Sequence, residues 1–130
     1  MILDRWLGND DESKMPDEKL LNEYEQYVEV YKKYNADGIP AKHEHFDMHE
    51  ETVFTRDSIH NVLQEIYRRK FRVDTTELKS IDKSWQEYMR ENKTDGFELV
   101  DINREDCPKE LWWFWIDQIE SLTSKELSTL

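Results

Sequence analysis

Hydrophobic residues recur every three to four positions in four stretches of the chain, which is the spacing of one face of an α-helix. The first stretch begins at Pro16, a residue that suits the first helical position, and Asp17 and Glu18 complement the helix dipole. Its hydrophobic stripe consists of Leu20, Tyr24, Tyr27, Tyr31 and Tyr34, widened by Leu21 and Val28. Asn35 to Pro40 form a strong stop signal. The pattern therefore predicts a helix over 16–34.

The second and third stretches predict helices over 56–72 and 75–92. Thr55 or Asp57 is the expected cap of the second helix, and Asp74 or Thr75 that of the third. The hydrophobic face of the second helix is Ile59, Val62, Leu63, Ile66 and Tyr67, and that of the third is Leu78, Ile81, Trp85, Tyr88 and Met89. The basic residues Arg68, Arg69, Lys70 and Arg72 crowd the end of the second helix, where cations complement the dipole.

The fourth stretch predicts a helix over 109–122, opened by Pro108. Its main stripe is Leu111, Phe114, Trp115, Ile119 and Leu122, with Trp112 and Ile116 on the adjoining face. Residues 97–102 are unfavourable for helix and predict one short strand, whereas residues 41–53 show the least regular pattern. These elements indicate a mainly α protein: a single domain over residues 1–130 with a four-helix core and short extra elements.

Composition supports helices and adds a large negative charge. The chain has only three glycines and three prolines in 130 residues, which favours long regular elements over a many-stranded sandwich. Thirty Asp and Glu face eighteen Lys and Arg, a formal net charge of -12. Because such a surface repels phosphate backbones and anionic lipids, we expect neither nucleic-acid nor membrane binding. It attracts basic proteins and accelerates their association.

The acidic excess lies mainly in the segments between the predicted helices and in the first 35 residues. Residues 36–53 hold five acids and one base, and residues 94–110 hold six acids and two bases. Acids in irregular segments are not needed for pairing along a helix, so we interpret them as a partner-binding surface as well as solvating groups. The predicted partner-binding acids are Glu44, Asp47, Glu50, Glu51, Asp95, Glu98, Asp101, Glu105 and Asp106.

Trp113 is the expected hydrophobic anchor of that surface. In an α-helix, Trp113 projects away from Phe114 and Trp115, on the side of Asp117 and Glu120. Tryptophan is enriched among the residues that dominate binding energy at interfaces. The alternative is that another part of the chain covers Trp113.

The densest group of potential metal ligands is His43, His45 and His49 with the acids between them, ending at Glu51. Imidazole and carboxylate suit zinc and similar ions. No single backbone conformation brings all three histidines together, however, and the His-Glu-x-x-His pattern is absent. We therefore expect no metal or other cofactor, and a metal-dependent enzyme built on His43–Glu51 stays an alternative.

No other motif indicates catalysis. Cys107 precedes Pro108 at an expected helix start, and no flanking residues support a nucleophile signature. A single cysteine and the lack of a signal-peptide pattern indicate a cytoplasmic protein.

The expected function is that of a non-enzymatic acidic protein that neutralises a basic partner. The most concrete form is an immunity protein or antitoxin against a bacterial toxin, above all a nuclease, whose substrate groove must be cationic. A nucleic-acid mimic that blocks a DNA-binding enzyme is an alternative, although it predicts acids in regular rows along helices. An adaptor domain with incidental charge is a further one.

Overall fold

The computed structural model describes residues 12–36, 46–91 and 104–130, with backbone only for residues 36, 46–50 and 104. Its elements in chain order are the 3-10 turn η1 (Glu12–Lys14), helices α1 (Asp17–Ala36), α2 (Phe46–Arg68) and α3 (Thr76–Glu91), the 3-10 segments η2 (Arg104–Asp106) and η3 (Trp112–Ser121), and the short helix α4 (Ser124–Leu127). The predicted mainly α fold is confirmed. The predicted strand at 97–102 lies outside the described residues.

Helices α1 and α2 pack against each other as an antiparallel pair. Arg69, just beyond the end of α2, binds Asp17 at the start of α1. At the opposite end of the pair, the Tyr34 hydroxyl donates to Glu51. The buried stripe of α1 includes Leu20, Tyr24, Val28 and Tyr31, as its periodicity predicts.

Helix α3 covers the pair and runs in the same direction as α1. Tyr24 donates from its hydroxyl to the carbonyl of Asp74, and Lys32 pairs with Glu77. The Asp74 carboxylate accepts a hydrogen bond from the backbone N–H of Thr76, which satisfies one of the donors at the start of α3. Segment η3 then packs against α2 and α3 and closes the core.

Helix α2 begins ten residues before the predicted start at residue 56. Thr55 and Asp57, expected as caps, lie inside the helix, and the Thr55 side chain is buried. The polar run around residues 52–58 resembles a helix start in sequence, but several of its members face the interior. Residues 46–50, predicted to be irregular, form the first turns of α2.

Helix α2 ends at Arg68, four residues before the predicted end. Lys70 adopts a positive φ of 65°. The N–H of Lys70 bonds to the carbonyl of Tyr67, and the N–H of Phe71 bonds to the carbonyl of Ile66. These two bonds form a Schellman motif, which normally places glycine at the position of Lys70. Tyr67, predicted to face the core, is 44% exposed in this last turn.

The predicted fourth α-helix is wrong in type. Residues 112–121 form 3-10 turns interrupted at Trp115 (φ -117°, ψ 18°) and Gln118 (φ -125°, ψ 39°). These interruptions reorient the chain, and Trp112, Trp113, Phe114, Ile116 and Ile119 are all buried. A continuous α-helix presents only one stripe to a core, so the number of large apolar side chains here exceeds what an α-helix can bury.

Candidate functional site

Three of the predicted partner-binding acids have described side chains, and all three are exposed. Glu51 lies in α2, where its carboxylate accepts a hydrogen bond from the Tyr34 hydroxyl at 3.0 Å. Glu105 and Asp106 lie in η2. The side chains of the other predicted acids lie outside the described residues; these are Glu44, Asp47, Glu50, Asp95, Glu98 and Asp101.

Trp113 is buried, which corrects the predicted outward orientation. Its exposed fraction is 0%, and its indole N–H donates to the Asp57 carboxylate at 3.1 Å. Its ring lies against Trp112 and His60. The orientation was predicted from α-helical geometry, and the interrupted 3-10 backbone of η3 turns the side chain inward instead. Trp113 is therefore part of the hydrophobic core and is not accessible to a partner in this structure.

An acidic surface nevertheless lies on the C-terminal segment that Trp113 anchors. Residues 105–126 hold six acids and two bases. Glu105, Asp106, Glu110 and Glu120 are exposed, and we call these four residues the C-terminal acidic surface.

Tryptophan side chains that pack into the core or bind the main chain hold the backbone of the C-terminal acidic surface in place. Trp112 and Trp113 are fully buried, and the Trp115 indole N–H donates to the carbonyl of Cys107 at 3.3 Å. Lys109 lies over the Trp115 ring, 5.3 Å from its centroid. Because the segment is already ordered, little conformational entropy is lost when a partner binds.

The basic residues at the end of α2 are largely committed to contacts within the chain. Arg68 and Arg69 both bind the Glu65 carboxylate, and Arg69 also reaches Asp17. Hydrogen bonds from these two guanidinium groups lower the pKa of Glu65 to about 2. Arg68 and Arg69 thus pair with acids of the same chain, whereas Lys70 and Arg72 are exposed.

A buried ion pair, which the sequence analysis did not identify, connects all three long helices. Arg56 of α2 donates from Nε and Nη2 to the two carboxylate oxygens of Asp82 in α3, each at 2.8 Å. The Tyr31 hydroxyl of α1 donates to the same carboxylate at 2.5 Å. The signal was present in the sequence, since Asp82 falls on the stripe of Leu78 and Trp85, three or four positions from each.

The environment of this ion pair is buried and aromatic. The Arg56 side chain is fully buried, and its guanidinium carbon lies 4.4 Å from the centroid of the Trp113 ring and 5.5 Å from that of Trp112. Burial raises the pKa of Asp82, while Arg56 and Tyr31 stabilise the charged carboxylate. Burial also raises the pKa of Tyr31 well above its ordinary value, so its hydroxyl stays a donor.

The described residues contain no group of three or more His, Cys, Asp or Glu side chains placed to hold a metal ion. His43 and His45 lie outside the described residues, and so does the side chain of His49. The metal-site alternative therefore stays a prediction. Within the described segments, no helix has both the length and the apolar character needed to cross a bilayer.

Comparison with protein-family models, with characterised proteins and with solved structures gives no match for this chain.

Proposed function

We propose that the protein is a non-catalytic binding protein that recognises a basic protein through the C-terminal acidic surface. The observation that carries the proposal is the exposure of four carboxylates, Glu105, Asp106, Glu110 and Glu120, on a segment fixed by fully buried tryptophans. An excess of like charges on one ordered segment creates a local field that accelerates the approach of an oppositely charged partner.

The most concrete partner is a toxin nuclease, with this protein as its immunity protein or antitoxin. A nuclease must present a cationic groove to phosphates, and an acidic protein that occupies or flanks the groove excludes the substrate. The predicted acids between residues 44 and 101 extend the same kind of surface in sequence.

The mixed charge of α3 favours this proposal over a nucleic-acid mimic. A mimic requires acids in regular rows that reproduce phosphate spacing. Helix α3 instead exposes Lys79, Lys83 and Arg90 together with Glu87 and Glu91, so acids and bases alternate along it.

The experiment starts with capture of partners from a source lysate at low salt and continues with surface plasmon resonance on the captured protein. The test variant is Glu105→Gln/Asp106→Asn/Glu110→Gln/Glu120→Gln. The matched control, Glu25→Gln/Glu29→Gln/Glu87→Gln/Glu91→Gln, removes the same charge from exposed positions on α1 and α3. We expect the test variant to associate about tenfold more slowly and the control to change much less.

Salt dependence provides a second readout. The association rate of the wild-type protein should fall as NaCl rises, because exposed charges are screened beyond about 8 Å at physiological ionic strength. The proposal is wrong if the captured partner is acidic, or if the two variants slow association equally.

A further inference from the structure

Residues 123–130, which we call the C-terminal strap, lie against the core without contributing a fully buried side chain. Helix α4 is a single turn closed by a capping box between Thr123 and Glu126. Leu127 and Leu130 are partly buried against the core. The strap therefore contributes two partly buried leucines to the packing, and hydrogen bonds to its main chain add to these contacts.

Side chains of α2 hold the end of the strap by its backbone. Arg56 Nη1 donates to the carbonyl of Leu130 at 3.0 Å, and Nη2 lies 3.4 Å from the carbonyl of Thr129. His60 Nδ1 lies 3.2 Å from the same Leu130 carbonyl. Two basic side chains of one helix thus converge on two successive carbonyls.

Side chains of η3 and α3 also bind the main chain of the strap. The Trp112 indole N–H donates to the carbonyl of Thr129, and the Gln86 amide donates to that of Leu127, both at 3.0 Å. Trp112 is fully buried and Gln86 is 8% exposed. The donors thus belong to the core, whereas the acceptors belong to a segment near the surface.

These donors and apolar contacts resemble those of a peptide-binding groove. A groove that recognises peptides supplies fixed donors to main-chain carbonyls and apolar contacts to spaced side chains. Here the four donor residues recognise three carbonyls, and the core contacts two leucines three positions apart. Because Asp82 already pairs with Arg56, the groove offers no unpaired cation to a phosphate and instead supplies hydrogen-bond donors to main-chain oxygens.

We propose that this groove binds a peptide segment of a partner protein, and that the C-terminal strap is a self-ligand that the segment displaces. The ligand presents two leucine-like side chains at positions i and i+3 and accepts hydrogen bonds at its main chain. Displacement without replacement leaves buried donors of Arg56 and Trp112 unpaired, so the open state is a minor one, and a bound ligand raises its population. This inference is independent of the proposed function.

The test uses the full chain and a labelled synthetic peptide with the sequence of residues 123–130. In the wild-type protein the attached strap competes at an effective concentration on the order of millimolar. Leu127→Ser/Leu130→Ser weakens the strap, and we expect it to bind the peptide at least tenfold more tightly in fluorescence anisotropy. Val30→Ser/Tyr67→Ser is the matched control, since both side chains are exposed elsewhere, and it should bind as weakly as the wild type.

A second substitution identifies the groove. Adding Gln86→Met to the weakened strap removes one donor and keeps the side-chain volume, so peptide affinity should fall at least fivefold while circular dichroism stays helical. The proposal is overturned if the weakened strap gives no gain in affinity, or if Gln86→Met leaves the gain unchanged. A concentration-dependent dimer that the peptide dissociates would assign the groove to the strap of a second copy and overturn a separate partner peptide.

Hydrogen exchange on the wild-type protein tests displacement without any variant. The N–H groups of Leu127, Ser128 and Thr129 are hydrogen-bonded within the strap. If the strap opens alone, these amides exchange faster than those of α1 and α2, at a rate that dilute urea does not change. Exchange only through global unfolding would show that the strap is a fixed part of the core and would overturn the proposal.

Discussion

Removing either Arg56 or Asp82 would leave the charge of the other residue uncompensated in the core. Both residues are buried, and the Tyr31 hydroxyl binds the same carboxylate. Removing one member of a buried pair typically costs about 3–5 kcal/mol, whereas replacing both with apolar residues is often neutral. We therefore expect the pair to specify how α1, α2 and α3 meet more than it adds net stability.

We accordingly expect Asp82→Asn to lower the free energy of unfolding by about 3–5 kcal/mol in urea denaturation. Arg56→Met/Asp82→Leu should lower it by less than Asp82→Asn alone, since no charge is then left unpaired. A double variant that is as unstable as the sum of the single variants would contradict a specifying role for the pair.

His60 gives stability a pH dependence near neutrality. Burial lowers its pKa, a hydrogen bond with the Leu130 carbonyl and the charge of Asp57 act in the opposite direction, and Arg56 adds to the lowering. An unfolded histidine titrates at about 6.5, so between that pH and the folded pKa the unfolded chain binds more protons. Stability is therefore complete above about 6.5 and falls as the pH decreases through this interval.

We expect the wild-type protein to lose more unfolding free energy than His60→Asn between pH 7.5 and pH 5.5. Asparagine can still donate to the Leu130 carbonyl but does not titrate, and the carboxylates common to both proteins cancel in the comparison. Urea denaturation at the two pH values measures the difference. A wild-type protein that gains stability relative to the variant at low pH would mean that the folded pKa is raised.

At the scale of elements, the end of α2 has an unfavourable backbone conformation at a residue that is not glycine. Lys70 occupies the left-handed position of the Schellman motif with φ 65°, and its side chain is exposed. Glycine adopts this conformation without the clash that a Cβ introduces. We expect Lys70→Gly to raise the unfolding free energy by about 0.5–1 kcal/mol, measured as a higher urea midpoint at constant m.

Lys70→Ala is the control, because it removes the charge and the long side chain but keeps the Cβ. It should give no comparable gain. If alanine stabilises the protein as much as glycine, the benefit comes from removing the charge near Arg68 and Arg69, and the backbone explanation is wrong.

Helices α1 and α3 were predictable because their apolar stripes and end signals agree. The start of α2 was not predictable. Thr55 and Ser58 are buried polar residues inside the helix, and in the sequence such residues indicate a helix boundary. Segment η3 was predicted as α because its spacing also fits 3.6 residues per turn, and only packing of consecutive tryptophans favours the interrupted 3-10 form.

The C-terminal acidic surface could be predicted from the sequence, whereas the groove that holds the C-terminal strap could not. Exposed acids such as Glu105 and Asp106 were found from local charge, which composition reveals directly. The donors Arg56, Gln86 and Trp112 were missed because they come from three elements and meet only in the fold. Sequence patterns place a polar residue on an apolar stripe but do not indicate its partner.

At the scale of the whole molecule, the net charge is divided unevenly. The described side chains include 20 acids and 14 bases, so they account for half of the net charge of -12. Acids and bases alternate along α3, whereas acids dominate residues 105–126. The net charge therefore acts globally as a source of self-repulsion, and its local excess over residues 105–126 is the basis of the proposed binding surface.

That self-repulsion predicts how salt affects stability. Between about 0.01 and 0.15 M ionic strength the Debye length falls from about 30 Å to about 8 Å, so long-range repulsion among acids is screened. The exposed pair Lys32–Glu77 weakens as well, but such a pair contributes at most about 1 kcal/mol. We therefore expect the unfolding free energy to rise over this range of NaCl, measured by thermal or urea denaturation.

The variant with four neutralised acids on the C-terminal acidic surface should show a smaller rise, since it carries less net charge. Stability that falls with NaCl would instead show that attractive pairs dominate the electrostatics of this chain.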